Sequence, residues 1–169
     1  MWQPDLYLQF SNERLRPSQD LLGRIPNLDP KRIVDLGCGP GSSTSVLRAR
    51  WPHAEIAGID SSASMLDRAR QNDASVAWAQ ADIAAWEPAE SVDLIFSNAA
   101  LHWVKGHRLL IPRLCGCLRN PGGILAIQIP VIPAAPVHCL AVELSREAPW
   151  RQWFDSAASP FEALEPHEY

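Results

Sequence analysis

The stretch VDLGCGPG, residues 34–41, decides the fold. The apolar run at residues 32–36 stops at three closely spaced glycines, which is typical of a buried parallel strand that runs into a turn. Residues 42–50 then follow a helical pattern, and Ser42 or Ser43 is available to cap the start of that helix. Strand, glycine turn and helix together predict the first unit of an α/β sheet.

Four more apolar runs follow this stretch, and helical patterns separate them. The predicted strands are residues 54–59, 75–79, 92–97 and 124–129. One predicted helix is capped by Ser61 or Ser62 and carries Met65, Leu66 and Ala69 on one face, and another covers residues 105–118. Strands that alternate with helices through short connections predict a parallel sheet with helices on both faces.

The pattern divides the chain into three parts. Residues 1–30 are predicted to form an N-terminal helical cap, and residues 31–130 an α/β domain. Residues 131–169 are predicted to be an incomplete C-terminal segment, in which only residues 137–148 have a helical pattern.

The composition is that of an ordinary globular chain. Of 169 residues, 47% are hydrophobic and 20% charged, and the net charge of −4 comes without any Lys/Arg cluster, which argues against a nucleic-acid-binding surface. There is neither a secretory leader nor an apolar run near 18 residues, so we expect no membrane span and a cytoplasmic location. The four cysteines lack the spacing of zinc ligands, so no metal site is expected.

Polar residues follow the carboxyl ends of the predicted strands, where open α/β sheets bind their ligands. Asp60 ends the second strand, and its carboxylate can accept hydrogen bonds from both hydroxyls of a ribose. Asp82 follows the third strand and can accept the exocyclic amine of an adenine, while Ile83 offers a backbone amide to a ring nitrogen. A solvated loop end or a helix cap is the competing interpretation for each carboxylate.

The spacing of the glycines separates two classes of nucleotide ligand. The dinucleotide fingerprint is G-x-G-x-x-G, whereas Gly37, Gly39 and Gly41 form G-x-G-x-G. The closer third glycine and the preceding Asp35 favour a ligand with an ammonium group and no pyrophosphate. An NAD-dependent oxidoreductase is therefore the weaker alternative.

These residues resemble the motifs of class I S-adenosylmethionine-dependent methyltransferases. Residues 34–41 resemble the first motif of that class, residues 58–66 the second and residues 81–83 the third. Further segments are similar to the trans-aconitate 2-methyltransferases, namely residues 6–10, 13–17, 97–103 and 123–130, with a fainter match at residues 136–138. The resemblance covers about residues 2–150 and thins out afterwards.

The resemblance implies a Rossmann-like sheet with strand order 3-2-1-4-5 and S-adenosylmethionine as cofactor. By this implication Asp35 and Gly37 flank the methionine moiety, and Asn98 lies near the sulfonium. For Met65, ordinary core packing is an equally good interpretation. The implied cofactor-binding residues are Asp35, Gly37, Cys38, Gly39, Gly41, Asp60, Ser61, Met65, Asp82, Ile83 and Asn98.

The implied reaction is attack of a substrate carboxylate oxygen on the sulfonium methyl, giving a monomethyl ester. A carboxylate is already ionised at pH 7, so no general base is needed. A binding site for a polycarboxylic acid such as trans-aconitate needs arginines and other hydrogen-bond donors. The candidates are Tyr7, Arg14, Arg16, His102 and Trp103. Solvated surface is the competing interpretation for the two arginines, and core packing for Trp103.

The resemblance also implies two more strands after the fifth, one of them antiparallel beside it. Residues 131–169 contain no candidate for either strand. The apolar edge at residues 124–129 is then expected to favour self-association. Two functional alternatives stay open: a cofactor-binding module without turnover, and a methyltransferase with a different small-molecule acceptor.

Overall fold

The computed structural model describes residues 11–130, 136–153 and 162–169. Helices and strands alternate as the sequence predicts except between the third and fourth strands, which no helix separates. Short 3₁₀ helices cover Leu101–Trp103, Trp150–Trp153 and Pro166–Glu168. The elements are α1 (Ser11–Arg24), β1 (Arg32–Leu36), α2 (Ser42–Arg50), β2 (Glu55–Asp60), α3 (Ala63–Asn72), β3 (Ala77–Gln80), β4 (Leu94–Asn98), α4 (His107–Gly116), β5 (Ile124–Gln128) and α5 (Pro136–Arg146).

The five strands form one parallel sheet in the order β3-β2-β1-β4-β5. This confirms the predicted fold class and strand order. The chain moves outward from β1 through β2 to β3 and then crosses back to place β4 on the other side of β1. This change of direction, between β1 and β4, is the switch point where open α/β sheets bind ligands.

The core lies on both faces of the sheet. Ile33 and Phe96 pack against Leu22 and Ile25, which belong to α1 and the turn after it. On the opposite face, β1, β2 and β4 pack against α4 and the 3₁₀ helix before it. Central strands buried on both faces explain why β1 and β4 have near-continuous apolar sequences rather than alternating ones.

The helix starts are built in two different ways. Ser62 caps α3 as predicted, since its hydroxyl accepts a hydrogen bond from the Met65 amide at 3.4 Å. The predicted cap of α2 was wrong, because Gly41 occupies that position with a left-handed backbone and no side-chain cap. Ser43 lies one residue inside α2, and its hydroxyl donates to Asp35 instead.

The outer edge of β5 has no partner strand within the described residues. The faces beside it are better covered than the sequence suggests, because α1 and α4 both pack near β5. Ala126 is buried, and the other residues of β5 are half-buried. The helices of the described ranges are all too short or too polar to cross a membrane.

Residues 162–169 pack on the start of α4. One Glu162 carboxylate oxygen accepts hydrogen bonds from the Gly106 and His107 amides at 2.9 and 3.0 Å, and these bonds lower the pKa of Glu162. The Tyr169 hydroxyl lies 2.6 Å from Nδ1 of the buried His107. The C-terminal residues therefore fix the segment that follows β4.

Candidate functional site

The glycine loop between β1 and α2 forms the centre of the candidate site. The Gly37 and Cys38 amides donate to the Ile59 carbonyl at 2.8 and 3.1 Å, which ties the loop to the end of β2. A Cβ on Gly37 would lie 2.1 Å from the Ala100 Cβ, so no larger residue fits there. A Cβ on Gly39 would meet nothing within 4 Å, so the backbone at Gly39 borders open space that a ligand can enter.

Asp60 holds the loop in place from the carboxyl end of β2. One carboxylate oxygen accepts the Gly39 amide at 2.9 Å, and the other accepts the Ser62 amide at 2.8 Å. Each carboxylate oxygen offers about two lone-pair directions, so acceptor capacity remains for two ribose hydroxyls. The neighbouring Ser61 is exposed, and its carbonyl accepts a hydrogen bond from Gln80.

Asp35 lies fully buried beneath the loop. One of its oxygens accepts the Ser43 and Thr44 hydroxyls at 2.7 and 2.6 Å, which fastens the first turn of α2 to β1. The other oxygen has no partner in the described part of the chain. Burial raises the pKa of Asp35 to about 6, with the charge of Asp60 as a smaller contribution, against the lowering effect of the two hydroxyls.

The turn after β3 carries the two residues predicted to contact adenine. Asp82 is exposed and accepts the Ala84 amide at 2.9 Å, so part of its acceptor capacity stabilises its own turn. Ile83 is buried, and its backbone amide donates no hydrogen bond to any described residue. An amide that is held in a fixed turn and has no partner is a donor ready for a ring nitrogen.

Arg113 of α4 supports this turn and was missed by sequence reasoning. Its guanidinium donates to the carbonyls of Ile83 and Ala84 at 2.7 and 3.0 Å, and to that of Trp86. About 30 residues of chain separate the arginine from the turn, so no local pattern marks the pairing.

Cys38, within the loop, and Met65 of α3 are both buried. Burial, followed by the negative charges of Asp35 and Asp60, raises the pKa of the Cys38 thiol, which therefore stays neutral. A Cβ on Gly58 would lie 3.0 Å from the Cys38 sulfur, so the thiol packs directly on β2. Both side chains can line a cofactor site while also filling the core.

The residues after β4 form the other side of the edge. Asn98 ends β4, and its side-chain oxygen is buried without a partner among the described residues. His102 is buried, and burial together with the nearby His107 lowers its pKa. Trp103 is 48% exposed, so the core-packing interpretation does not apply to it.

Among the candidates near the N-terminus, the structure describes the side-chain surroundings of Arg16. The Arg16 side chain is 83% exposed, with its Nε 4.0 Å from a carboxylate oxygen of Asp20, as the solvated-surface interpretation predicts. Arg14 lies in α1. Tyr7 falls outside the described residues.

A cavity of about 670 Å³ opens at the opposite edge of the sheet, at the amino ends of the strands. Two of its arginines are already paired, Arg119 with Asp93 and Arg32 with Glu90. The residues able to bind a nucleoside ligand lie at the carboxyl edge, so the candidate site and this cavity are at opposite edges of the sheet.

The groups at the carboxyl edge fit S-adenosylmethionine. Open space at Gly39, spare acceptor capacity on Asp60 and an unpartnered Ile83 amide suit the ligand's ribose and adenine. The Asp35 oxygen that has no partner among the described residues is a suitable hydrogen-bond acceptor for the ligand's ammonium group.

A family model described as "Methyltransferase domain" matches residues 33–123 of the chain. The matched range begins in β1 and ends just before β5, so it contains the glycine loop, Asp60 and the Asp82 turn.

Curated relatives are similar over most of the chain. A trans-aconitate 2-methyltransferase from Paracidovorax citrulli is 48% identical over 160 residues, which are 94% of this chain and 61% of that protein. A trans-aconitate 2-methyltransferase from Azoarcus sp. is 51% identical over 148 residues, which are 88% of this chain and 56% of that protein. The chain thus spans about three-fifths of the length of these relatives.

Among solved structures, an S-adenosylmethionine-dependent methyltransferase from Mesorhizobium loti is similar with a TM-score of 0.57 and 33% sequence identity. The match covers 64% of this chain and 51% of that one.

Proposed function

The chain belongs to the methyltransferase domain family of class I S-adenosylmethionine-dependent enzymes, and on this premise we propose that it methylates a carboxylate of a small polycarboxylic acid. Trans-aconitate is the proposed acceptor, and a monomethyl ester is the product. The observation that carries the proposal is the row of ligand-ready groups at Gly39, Asp60 and Ile83 along the carboxyl edge of β1 to β3. The names of the two relatives support the choice of acceptor.

The residues of β1 to β3 bind and orient the methyl donor. When bound, S-adenosylmethionine supplies a methyl group on a sulfonium, which is electrophilic without further activation. Asp60 accepts the ribose hydroxyls, and Asp82 with the Ile83 amide reads the adenine edge. Asp35 holds the first turn of α2, and its partnerless oxygen accepts from the ammonium group.

The acceptor needs alignment rather than deprotonation. A carboxylate is ionised at pH 7, so the chain has no proton to remove. Holding the two reactants in line can lower the barrier by several kcal/mol. The pKa of His102 is lowered, so its imidazole stays neutral. A neutral imidazole can donate a hydrogen bond to the acceptor or line its pocket, but it adds no positive charge there. Asn98 and Trp103 complete this side, with Arg14, Arg16 and Tyr7 as further candidates.

Two measurements on the 169-residue chain test the proposal. Calorimetric titration with S-adenosylhomocysteine measures cofactor binding, and transfer of a radiolabelled methyl group to a panel of di- and tricarboxylates measures turnover. We expect saturable binding and transfer to trans-aconitate, and loss of both in Asp60→Ala. Binding without transfer to any acid would leave a cofactor-binding module, and absence of binding would contradict the cofactor assignment itself.

A further inference from the structure

Two carboxamide side chains lie next to each other at the carboxyl edge of the sheet. Asn98 of β4 and Gln128 of β5 are paired in register, so their backbones lie about 4.8 Å apart, the usual spacing of neighbouring strands. The side-chain oxygen of each is closed off from solvent and has no hydrogen-bond partner in the described part of the chain. Gln128 was not among the residues that the sequence pointed to.

Both carboxamides project from the face of the sheet that carries Asp35. Phe96 pairs with Asp35 on one side and with Ala126 on the other, and residues in register share a face. Asn98 and Gln128 come two residues after Phe96 and Ala126, so the alternation of strand side chains places them on the same face. Asp35, the second-last residue of β1, also has one oxygen without a partner among the described residues. Three such acceptors therefore lie at or near the carboxyl ends of three adjacent strands.

Buried oxygens without hydrogen-bond partners destabilise the fold unless another group binds to them. A buried polar group without a partner costs about 1–3 kcal/mol, so a row of them points to a polar ligand rather than to packing. Asp35 and Asp60 already give this edge negative charge, so an anionic ligand held here must be met by hydrogen-bond donors of the protein. A carboxamide presents its NH₂ group in place of its oxygen after a half-turn about its last torsion.

We infer that Gln128, with Asn98 beside it, hydrogen-bonds the carboxylate of the acceptor and thereby selects acids over neutral acceptors. This inference rests on the proposed methyl-transfer function and adds a specificity-determining residue to it. The two amide groups donate to the acceptor's oxygens, and the negative charge of the acceptor is then held by donors that carry no charge themselves. No bond is made or broken by Gln128.

The test measures acceptor binding separately from cofactor binding. The full chain is saturated with S-adenosylhomocysteine and then titrated calorimetrically with trans-aconitate. We expect Gln128→Leu to weaken acceptor binding about tenfold, since a hydrogen bond to a charged group is lost. We expect Gln128→Glu to weaken it further by repulsion, and both variants to retain S-adenosylhomocysteine affinity. In turnover, KM for the acceptor rises while kcat is largely kept.

The matched control is Gln71→Leu, which changes an exposed glutamine of α3 far from β5. It is expected to alter neither titration. If Gln128→Leu does not fold, Gln128→Glu carries the test, because it keeps the size and shape of the side chain.

The outcomes separate this inference from the function beneath it. Unchanged acceptor affinity in a folded Gln128 variant overturns the inference and leaves the function intact. Equal loss of both affinities also overturns it, because it would show a structural role for Gln128. A wild-type chain that binds S-adenosylhomocysteine but none of the acids overturns the acceptor assignment and, with it, the inference.

Discussion

The two halves of the carboxyl edge are built differently. Around β1 to β3, Asp60 holds two backbone amides and Asp35 holds two hydroxyls, so polar groups fix one another. Around β4 and β5, Asn98 and Gln128 end in buried oxygens without partners among the described residues. The first half is thus preorganised by contacts within the chain, whereas the buried oxygens of the second half have no such contacts among the described residues.

The largest expected effect comes from removing the residue that holds the preorganised half together. Asp60→Ala should weaken S-adenosylhomocysteine binding by at least about 2 kcal/mol, roughly thirtyfold, since charge-assisted hydrogen bonds are lost and the loop is released. Calorimetric titration measures this. Asp67→Ala is the matched control, because Asp67 is exposed on α3 and pairs only with Arg70 among the described residues. Equal affinities of wild type and Asp60→Ala would exclude Asp60 from the site.

A smaller effect is expected from crowding the same half. A Cβ on Gly58 would lie 2.3 Å from the Trp78 ring, so Gly58→Ala should destabilise the fold by about 1–3 kcal/mol. A Cβ on Gly23 of α1 would meet nothing within 4 Å, so Gly23→Ala should be neutral or stabilising. Urea denaturation of both variants gives the comparison. A Gly58→Ala variant as stable as Gly23→Ala would mean that the Trp78 ring can move aside without cost.

The buried Asp35 makes the preorganised half sensitive to pH. Its pKa is about 6 in the fold, against an ordinary value of 3.8, so between these two pH values the folded state holds a proton that the unfolded state has lost. Stability should therefore fall as pH rises through this window, by about 1–2 kcal/mol. Asp35→Asn removes that fall. Denaturation at pH 4.5, 5.5 and 7 tests it against Asp29→Asn at an exposed site, and parallel curves for Asp35→Asn and wild type would contradict it.

The half of the carboxyl edge around β4 and β5 should respond to a change at an N-terminal arginine. Arg14→Lys keeps the charge but loses the bidentate fork, so we expect KM for the acceptor to rise about fivefold with little change in cofactor affinity. Arg24→Lys is the control, because Arg24 is exposed in the last turn of α1 and is not a candidate for the site. Steady-state kinetics measure both. Identical kinetics for the two variants would remove Arg14 from the acceptor site.

The smallest effect concerns the edge of β5. This strand is apolar and uncharged, and such edges attract other chains. We expect weak, concentration-dependent self-association, which light scattering on the intact chain would detect. A monomer from dilute to concentrated solution would show that the cover given by α1 and α4 is sufficient.

The sequence predicted the preorganised half well because its determinants are local. The turn at Gly37 and the cap of α3 by Ser62 each depend on a few consecutive residues. The strand order came from the family resemblance that these local motifs carry. The sequence prediction failed at Ser43, whose hydroxyl donates to Asp35 rather than capping α2. A serine hydroxyl can either accept from a backbone amide as a cap or donate to a carboxylate, and only the fold selects between the two.

The residues that sequence reasoning missed act over long separations. Arg113 supports a turn about 30 residues away, and Glu162 binds amides 55 and 56 residues away. Gln128 looked like the polar end of an apolar strand until the pairing with Asn98 placed it beside another carboxamide. Periodicity assigns elements but does not say which side chains meet once the sheet has formed.

The strand order determines which strands can pair first as the chain folds. β1 to β3 occupy residues 32–80 and need only two helical crossovers to pair, whereas β1 must wait for β4, about 60 residues later, to cover its other side. Pairings over such separations are slow to form, and chains emerge from the ribosome amino end first. The nascent chain can thus assemble β1 to β3 before β4 and β5 have been translated, and the apolar flank of β1 stays uncovered during that interval.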